Sequence, residues 1–289
     1  MSINNLTIGS IITKTVPFFK ERGLPNPRLE ADLLLAGVLG LPRVKLYSEW
    51  DRPLEPAEVQ QYREIIVKRA QGWPLAYLTG KKSFLSWDFQ VTPAVLVPRP
   101  ETELLVEAVV ETVKDRRELT GVDIGTGSGV IAISLAKLIP GSQWYAIDIS
   151  PEALAVAEAN AVHLGVEGQI QFLSGDLLGP VMDSGIGFDI IVSNPPYIPS
   201  ATISSLQPEV RKEPLLALDG GPDGLEVYRK LLPQAGKLLA TDGIVALEHG
   251  FDQRSFLEEL FRESGLAPQS KSDLAGLDRI MIGRKTNHA

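Results

Sequence analysis

The run Asn194-Pro195-Pro196-Tyr197 combines residue types that can bind a flat polar group. It follows Phe188 to Ser193, a short β-branched run that predicts a strand buried on both faces of a parallel sheet. A proline cannot donate to a sheet ladder, and the residue before it is held extended or in a turn. Asn194 is therefore predicted at the carboxyl end of this strand, where open α/β sheets bind their ligands. Taken alone, an Asn-Pro-Pro run is more often a rigid turn, so its meaning depends on the rest of the sequence.

A glycine-rich stretch upstream, Val122 to Gly129, supplies that context. Its glycines allow a tight turn and a close approach of the backbone to a ligand, and the helix expected to follow presents free N–H groups. A dinucleotide fingerprint would place the third glycine one position later, where this chain has Val130. The stretch therefore predicts a ligand-binding loop and, by itself, leaves NAD open as the ligand.

Two aspartates extend the predicted ligand site. Asp148 ends the next strand, 19 residues after Gly129, and is well placed to accept hydrogen bonds from both hydroxyls of a ribose. Asp176 follows the third strand, where it could accept from the exocyclic amine of adenine, although an ordinary loop aspartate explains it equally well. An adenosine cofactor is predicted. NAD is disfavoured by the incomplete fingerprint and by the Asn-Pro-Pro-Tyr run.

These residues need a sheet to position them. From Thr120 onward predicted strands and helices alternate, which indicates a doubly wound sheet. The strands are predicted at 121–124, 143–147, 170–173, 188–193, 243–248 and 279–283, with a weaker one near 268–272. The helices are predicted at 130–138, 151–164, 225–239 and 253–264.

The first third of the chain has a different pattern. Residues 1–80 predict three or four short amphipathic helices, among them Pro27 to Leu39, closed by Gly40, and Glu55 to Gln71. Alternating apolar residues from Leu85 to Val91 predict a strand, with a return strand at Ala94 to Val97. Thr102 is a candidate cap for the next helix. The predicted domains are a helical bundle at 1–80, a hairpin linker at 81–98 and a catalytic domain at 99–289.

Composition limits the classes of function. The 289 residues are 44% hydrophobic and carry 28 basic against 36 acidic side chains, a net charge of −8, which argues against duplex nucleic acid as the main partner. The absence of cysteine excludes disulfides and thiolate nucleophiles, and three histidines give little basis for a metal site. No secretory signal is visible at the N-terminus, and the most apolar stretch, Ala31 to Leu41, is about half the ~20 residues that span a bilayer. A cytoplasmic protein without membrane contact is expected.

The glycine-rich loop, Asp148 and Asn194-Pro195-Pro196-Tyr197 together resemble a class I S-adenosylmethionine-dependent methyltransferase that acts on a planar nitrogen. Three further stretches make the chain similar to the HemK/PrmC family: residues 97–103, residues 213–224 and Glu248-His249-Gly250. The resemblance implies an α/β fold, with a Rossmann-like, seven-stranded, doubly wound sheet behind a small N-terminal helical bundle. It also implies methylation of the glutamine amide in the Gly-Gly-Gln motif of class 1 peptide chain release factors, with S-adenosyl-L-homocysteine as the other product.

The resemblance assigns roles to residues. Asn194, Pro195 and Tyr197 are expected to be catalytic, the first two accepting the two amide N–H bonds and the third stacking on the amide plane. Pro196 and Arg99 join them as expected substrate contacts. The expected cofactor-binding residues are Asp123, Gly125, Thr126, Gly127, Ser128, Gly129, Asp148, Asp176, Leu177 and Asn194. Leu177 departs from the family, which often has an aromatic residue there, so adenine stacking by that side chain is in question.

Alternatives stay open at this stage. The exocyclic amine of a flipped adenine presents the same planar NH2 group, so a DNA or RNA methyltransferase is the second interpretation. A non-catalytic module that binds adenosine is the third, and it gives the Asn-Pro-Pro-Tyr run no purpose. His249 beside Glu248 could form an acid–base pair or support the pocket floor. The glycine-rich run Asp219 to Gly224 could close over the substrate or simply lead into the next helix.

Overall fold

The computed structural model describes residues 6–285, which form two compact units. Residues 6–81 and 207–212 make the helical unit, and residues 82–206 and 213–285 make the larger sheet unit. Residues 82–98, expected to be a linker, fall in the sheet unit. Within the described range, every helix is too short or too polar to cross a bilayer.

The helical unit contains five helices, where three or four were expected. They are α1 (Ile8–Glu21), α2 (Pro27–Leu39), α3 (Arg43–Ser48), α4 (Pro56–Ala70) and α5 (Leu75–Thr79). The side chains of Thr7 and Ser10 each accept from the other's backbone N–H at the start of α1, and a proline opens α2 and α4. Gly40 ends α2 as expected, in a left-handed conformation with φ +62°.

Apolar side chains from these helices form one core, which encloses an ion pair. Ile12, Leu35 and Tyr62 are fully buried in it. Arg69, placed by its spacing on the apolar side of its helix, is also buried, and its guanidinium contacts Glu30 in α2 and Glu209 in the 207–212 segment. The pairing satisfies a charge that would be costly to bury alone.

A two-stranded sheet begins the passage into the sheet unit. Its strands are β1 (Lys81–Phe84) and β2 (Trp87–Gln90), joined by Leu85 and Ser86. The expected strand from Leu85 to Val91 is thus shorter, and the expected return strand at Ala94 to Val97 is wrong. Prolines flank that stretch and remove backbone donors, and the Val97 N–H donates to the Glu213 side chain instead of to a strand.

The sheet unit is built on a seven-stranded sheet flanked by helices, which confirms the expected fold class. Its strands are β3 (Thr120–Ile124), β4 (Gln143–Asp148), β5 (Ile170–Ser174), β6 (Phe188–Ser193), β7 (Leu239–Glu248), β8 (Leu266–Ser272) and β9 (Asp278–Lys285). Their order is β5-β4-β3-β6-β7-β9-β8; the first five are parallel, and β9 pairs antiparallel with both β7 and β8.

Helices cover both faces of this sheet. They are α6 (Pro100–Thr112), α7 (Val130–Leu138), α8 (Pro151–Leu164), α9 (Glu226–Leu238) and α10 (Arg254–Glu263). Helices α7 and α8 have the predicted bounds, and Ser150 caps α8 by accepting from the Ala153 N–H. Successive residues of β6 point to opposite faces, so Ile190 and Val192 lie in one apolar core and Ile191 in the other. This double burial explains the continuous apolar run.

Candidate active site

The strand order reverses between β3 and β6, and a cavity lies at the carboxyl ends of the strands on both sides of this point. Open α/β sheets bind ligands at such a switch point. Ten of the predicted site residues line the cavity: Arg99, Gly125, Thr126, Ser128, Asp148, Asp176, Leu177, Asn194, Pro195 and Pro196. Four predicted residues, Asp123, Gly127, Gly129 and Tyr197, lie outside its lining.

The glycine-rich loop is fixed by the neighbouring strand. The N–H groups of Gly125 and Thr126 both donate to the Ile147 carbonyl, at 2.8 and 3.0 Å. Gly125, Gly127 and Gly129 all have positive φ, and Gly129 caps α7. A Cβ at Gly129 would lie 2.8 Å from the Ile133 side chain, so this position requires glycine for its conformation and for its space.

Asp123 supports the loop from below. It is fully buried, and its Oδ2 accepts from the Thr126 hydroxyl at 2.7 Å and from the Ala132 N–H at 3.2 Å. Its Oδ1 has no hydrogen-bond partner among residues 6–285. Burial raises the pKa of this carboxyl to about 7, and the nearby Asp148 adds to that increase. Asp123 therefore orients the loop without lining the cavity.

Asp148 joins the loop to the cavity wall. One carboxylate oxygen accepts from the Gly127 N–H and the other from the Ser150 N–H, both at 2.9 Å. Each oxygen keeps lone pairs for a further donor. Asp176 lies in an exposed loop at the cavity edge, and Leu177 follows it with φ +50°. The cavity thus carries a fixed carboxylate at one place and an exposed carboxylate at another.

Asn194 is held by a hydrogen-bond chain that sequence reasoning missed. Its side-chain NH2 donates to the Thr102 hydroxyl at 3.0 Å, and that hydroxyl donates to Glu248 Oε2 at 2.7 Å. The Asn194 Oδ1 and the Pro195 carbonyl accept from no donor in the described part of the chain. The site therefore pairs a pinned amide with two acceptors that are open to a ligand.

Thr102 had been expected to cap a helix, and this is wrong. Arg99 is the N-cap of α6 and Pro100 its first residue, so Thr102 lies inside the first turn with its side chain buried. Glu248 ends β7 at the same edge of the sheet as Asn194 ends β6, because Ser193 and Leu247 are in register. That shared edge was the available signal for Glu248.

Tyr197 packs against the glycine-rich run Asp219 to Gly224. This run was expected either to close over the substrate or to lead into the next helix. The Tyr197 backbone carbonyl accepts from the Gln253 side chain at 3.0 Å, and the Tyr197 hydroxyl is 3.4 Å from Glu248 Oε1. A Cβ at Gly220 would lie 2.8 Å from the Tyr197 Cα, and one at Gly224 would lie 2.4 Å from its carbonyl oxygen. The run therefore packs directly on the chain after Asn194.

Arg99 lines the cavity with its charge already paired. Its guanidinium donates to Glu213 Oε1, and Glu213 Oε2 accepts from the Val97 N–H at 2.9 Å. Glu213 is buried, so the pair joins the segment before α6 to the segment that follows Tyr197. Both segments line the cavity.

Glu248 and His249 do not form an acid–base pair with each other in the described structure. Burial raises the pKa of Glu248 to about 7, and the Tyr228 hydroxyl donates to its backbone carbonyl. The His249 Nδ1 lies 2.8 Å from the Gly250 carbonyl, and burial lowers the pKa of the ring. The His249 side chain is fully buried and lies outside the cavity lining, so support of the pocket floor by this residue stays a prediction. Within residues 6–285 there is no cluster of three metal-binding side chains, and His288 lies outside the described residues.

The chain is similar in sequence to known proteins. Residues 10–80 match the family described as PrmC N-terminal domain, and residues 100–207 match the methyltransferase small domain. The chain is 45% identical to the release factor glutamine methyltransferase of Moorella thermoacetica, over 96% of this chain and 98% of that protein. It is 41% identical to the protein of the same name from Geobacter sulfurreducens, over 96% of each chain.

Solved structures are similar in fold. The ribosomal protein L11 methylase of Lactobacillus delbrueckii subsp. bulgaricus has a TM-score of 0.51 and 24% identity, over 71% of this chain and 90% of that one. The 16S rRNA N2 G1207 methyltransferase of T. thermophilus has a TM-score of 0.54 and 20% identity, over 71% of this chain and 50% of that one. Because the two sequence relatives are 45% and 41% identical to this chain over 96% of its length, the chain belongs to the family of the release factor glutamine methyltransferases.

Proposed function

We propose that this protein transfers a methyl group from S-adenosylmethionine to the side-chain amide nitrogen of the glutamine in the Gly-Gly-Gln motif of class 1 release factors. We further propose that it acts in the cytoplasm, where these factors work. One observation carries the proposal most directly. The Asn194 amide is pinned through its NH2 group, while its Oδ1 and the Pro195 carbonyl remain open beside the cavity. Two open acceptors match the two N–H bonds of a primary amide.

The residues around the glycine-rich loop fit the cofactor. The two oxygens of Asp148 keep lone pairs toward the cavity and would accept from the ribose hydroxyls, and Asp176 would accept from the adenine amine. Leu177 supplies an apolar wall where an aromatic ring would stack. Gly125, Thr126 and Ser128 let the backbone approach the ligand, while Asp123, Gly127 and Gly129 hold that loop in shape.

The bound cofactor supplies an activated methyl group on a sulfonium. The amide nitrogen is a poor nucleophile, because its lone pair is delocalised into the carbonyl. Asn194 Oδ1 and the Pro195 carbonyl would each accept one N–H bond, which raises electron density on nitrogen and aims it at the methyl carbon. Alignment of this kind contributes about 7–11 kcal/mol in favourable cases. Fixed acceptors also stabilise the positive charge that develops on nitrogen.

Atoms balance without a strong base. The amide nitrogen would form the new C–N bond as the methyl carbon leaves sulfur, with the S–C electron pair staying on sulfur, and the acidic N-methylated amide would then release one N–H proton to water. Tyr197 would stack on the amide plane and exclude water. Pro196 would wall the pocket, and Arg99, paired with Glu213, would help to seat the glutamine-bearing loop. The N-terminal helical unit is proposed as the part that docks the release factor.

The experiment tests substrate class directly. The protein is incubated with methyl-labelled S-adenosylmethionine and, separately, a Gly-Gly-Gln release factor, the same factor with Gln changed to Ala, an adenine-containing duplex oligonucleotide and ribosomal RNA. Label is expected only in the release factor with the intact Gly-Gly-Gln motif. Label in either nucleic acid would instead support the adenine interpretation, and label in none would leave only an adenosine-binding module.

A further inference from the structure

We propose that Thr102 and Glu248 form a positioning relay that sets which way the Asn194 carboxamide faces, and thereby whether this position accepts or donates hydrogen bonds. The inference rests on the proposed function, because it concerns how Asn194 would meet the substrate amide. Neither residue is expected to touch the reacting atoms. Their role would be to act through Asn194.

The relay joins three separate elements. Asn194 follows β6, Thr102 lies in the first turn of α6, and Glu248 ends β7. The distances are 3.0 Å from Asn194 Nδ2 to Thr102 Oγ1 and 2.7 Å from Thr102 Oγ1 to Glu248 Oε2. Thr102 is 2% exposed and Glu248 1%. Water therefore competes little for these hydrogen bonds, and each group depends on the next for its partner.

The number of protons fixes the direction of the relay. A threonine hydroxyl carries one proton, so when it donates to an ionised Glu248 it must accept from Asn194. The Asn194 NH2 group is then held toward Thr102, and its Oδ1 is left for the substrate. A carboxamide turned by 180° would present NH2 to the NH2 of the incoming glutamine. Donor would then face donor, and the orienting hydrogen bond would be lost.

Protonation of Glu248 would reverse the relay. A protonated carboxyl can donate to Thr102, which frees the threonine proton to point at Asn194 and favours the turned carboxamide. Burial and, to a smaller extent, Glu101 in α6 raise the pKa of Glu248 to about 7, while the hydrogen bonds from Thr102 and Tyr197 and the charge of Arg279 in β9 oppose that increase. The Tyr228 hydroxyl from α9 donates to the backbone carbonyl of Glu248 and not to its carboxyl group. The reversal therefore falls in an accessible pH range.

Kinetics of four variants test the relay. Thr102→Val keeps the shape and removes the hydroxyl, so kcat for the release factor is expected to fall roughly 10- to 100-fold with KM little changed. Thr102→Ser should restore most of kcat. Thr112→Val in the same helix, whose hydroxyl bonds only the Ala108 carbonyl, is the matched control and should behave as wild type. With saturating cofactor, wild-type kcat should fall as pH drops below about 7, and Glu248→Gln should be slow with that dependence gone.

A second measurement does not need turnover. In protein labelled with ¹⁵N at asparagine side chains and bound to S-adenosylhomocysteine, the Asn194 NH2 signal, identified by its loss in Asn194→Ala, should shift in Thr102→Val and stay in Thr112→Val. If wild type methylates no release factor but this signal shifts, the proposed function fails and the relay stands. Normal kcat in Thr102→Val, or an unshifted signal, overturns the relay.

Discussion

The side-chain amide of Asn194 donates to the hydroxyl of Thr102 across 3.0 Å, although 92 residues separate them in the chain. The contact brings the end of β6 against the first turn of α6. It uses one N–H bond of the asparagine side chain and leaves the amide oxygen without a donor among the described residues. This arrangement, with the NH2 group paired inside the protein and the oxygen unpaired, is the one that the proposed binding role requires.

Asn194→Ala removes the acceptor that the proposed reaction needs. We expect methyl transfer to fall by at least about a hundredfold, because a fixed hydrogen-bonding group at a developing charge is worth roughly that much. Affinity for S-adenosylhomocysteine and the melting temperature should change little. Asn26→Ala, at the exposed N-cap of α2, where the side chain makes no capping hydrogen bond, is the control. Full turnover in Asn194→Ala would remove this residue from the mechanism.

Gly224→Ala tests whether the loop behind Tyr197 shapes the site. The new Cβ would lie 2.4 Å from the Tyr197 carbonyl oxygen, and φ is +76°. We expect a loss of about 1–3 kcal/mol in stability together with loss of methyl transfer, since Tyr197 must move. Gly185→Ala has a similar φ of +72° with open space around it, so it reports the backbone strain alone. Equal kinetics in the two variants would contradict this view.

Asp148→Asn should weaken cofactor binding more than Asp176→Asn. The asparagine would place an NH2 group against the N–H of Gly127 or of Ser150, both of which now donate to the carboxylate. We expect the Kd for S-adenosylhomocysteine, measured by calorimetry, to rise roughly 10- to 100-fold, as for a lost buried hydrogen bond. The change at exposed Asp176 should stay below about tenfold. The reverse ranking would place the adenosine differently.

Asp123 should make stability depend on pH. Its pKa is raised to about 7 in the fold by burial, so the folded protein binds more protons than the unfolded chain between about pH 4 and 7. The stability linked to the protonated form is complete below pH 4 and is lost as pH rises to about 7. Asp123→Asn stays neutral, so from pH 5 to 8 its stability relative to wild type should rise by about 3 kcal/mol. Denaturant titrations at both pH values measure this, and a constant difference would refute it.

Most of the fold could be predicted from local pattern. Helices α7 and α8 and strand β6 match their predicted bounds, because their apolar period is flanked by glycine, proline or a capping serine. The prediction of a return strand at Ala94 to Val97 was wrong, because its apolar residues are buried without forming backbone hydrogen bonds to a neighbouring strand. There a side chain, Glu213, takes the Val97 N–H, and such a distant partner leaves no local pattern.

The site was predicted where chemistry and turn geometry coincide in one short stretch. Residue type and a position at or after the end of a predicted strand were enough to predict Asn194, Asp148 and the glycine-rich loop. Thr102 and Glu248 do not, because their importance comes from a contact between elements far apart in sequence. Thr102 was also masked by a plausible local role, since a threonine near the start of a helix is usually a cap.

Residues 207–212 belong to the helical unit, although the chain on either side of them belongs to the sheet unit. The polypeptide therefore crosses from one unit to the other after residues 81, 206 and 212. No single cut releases either unit intact. A gene fragment that stops at residue 81 would encode a bundle lacking Glu209, the ionic partner of its buried Arg69, so the isolated piece would need those six residues added back as a peptide.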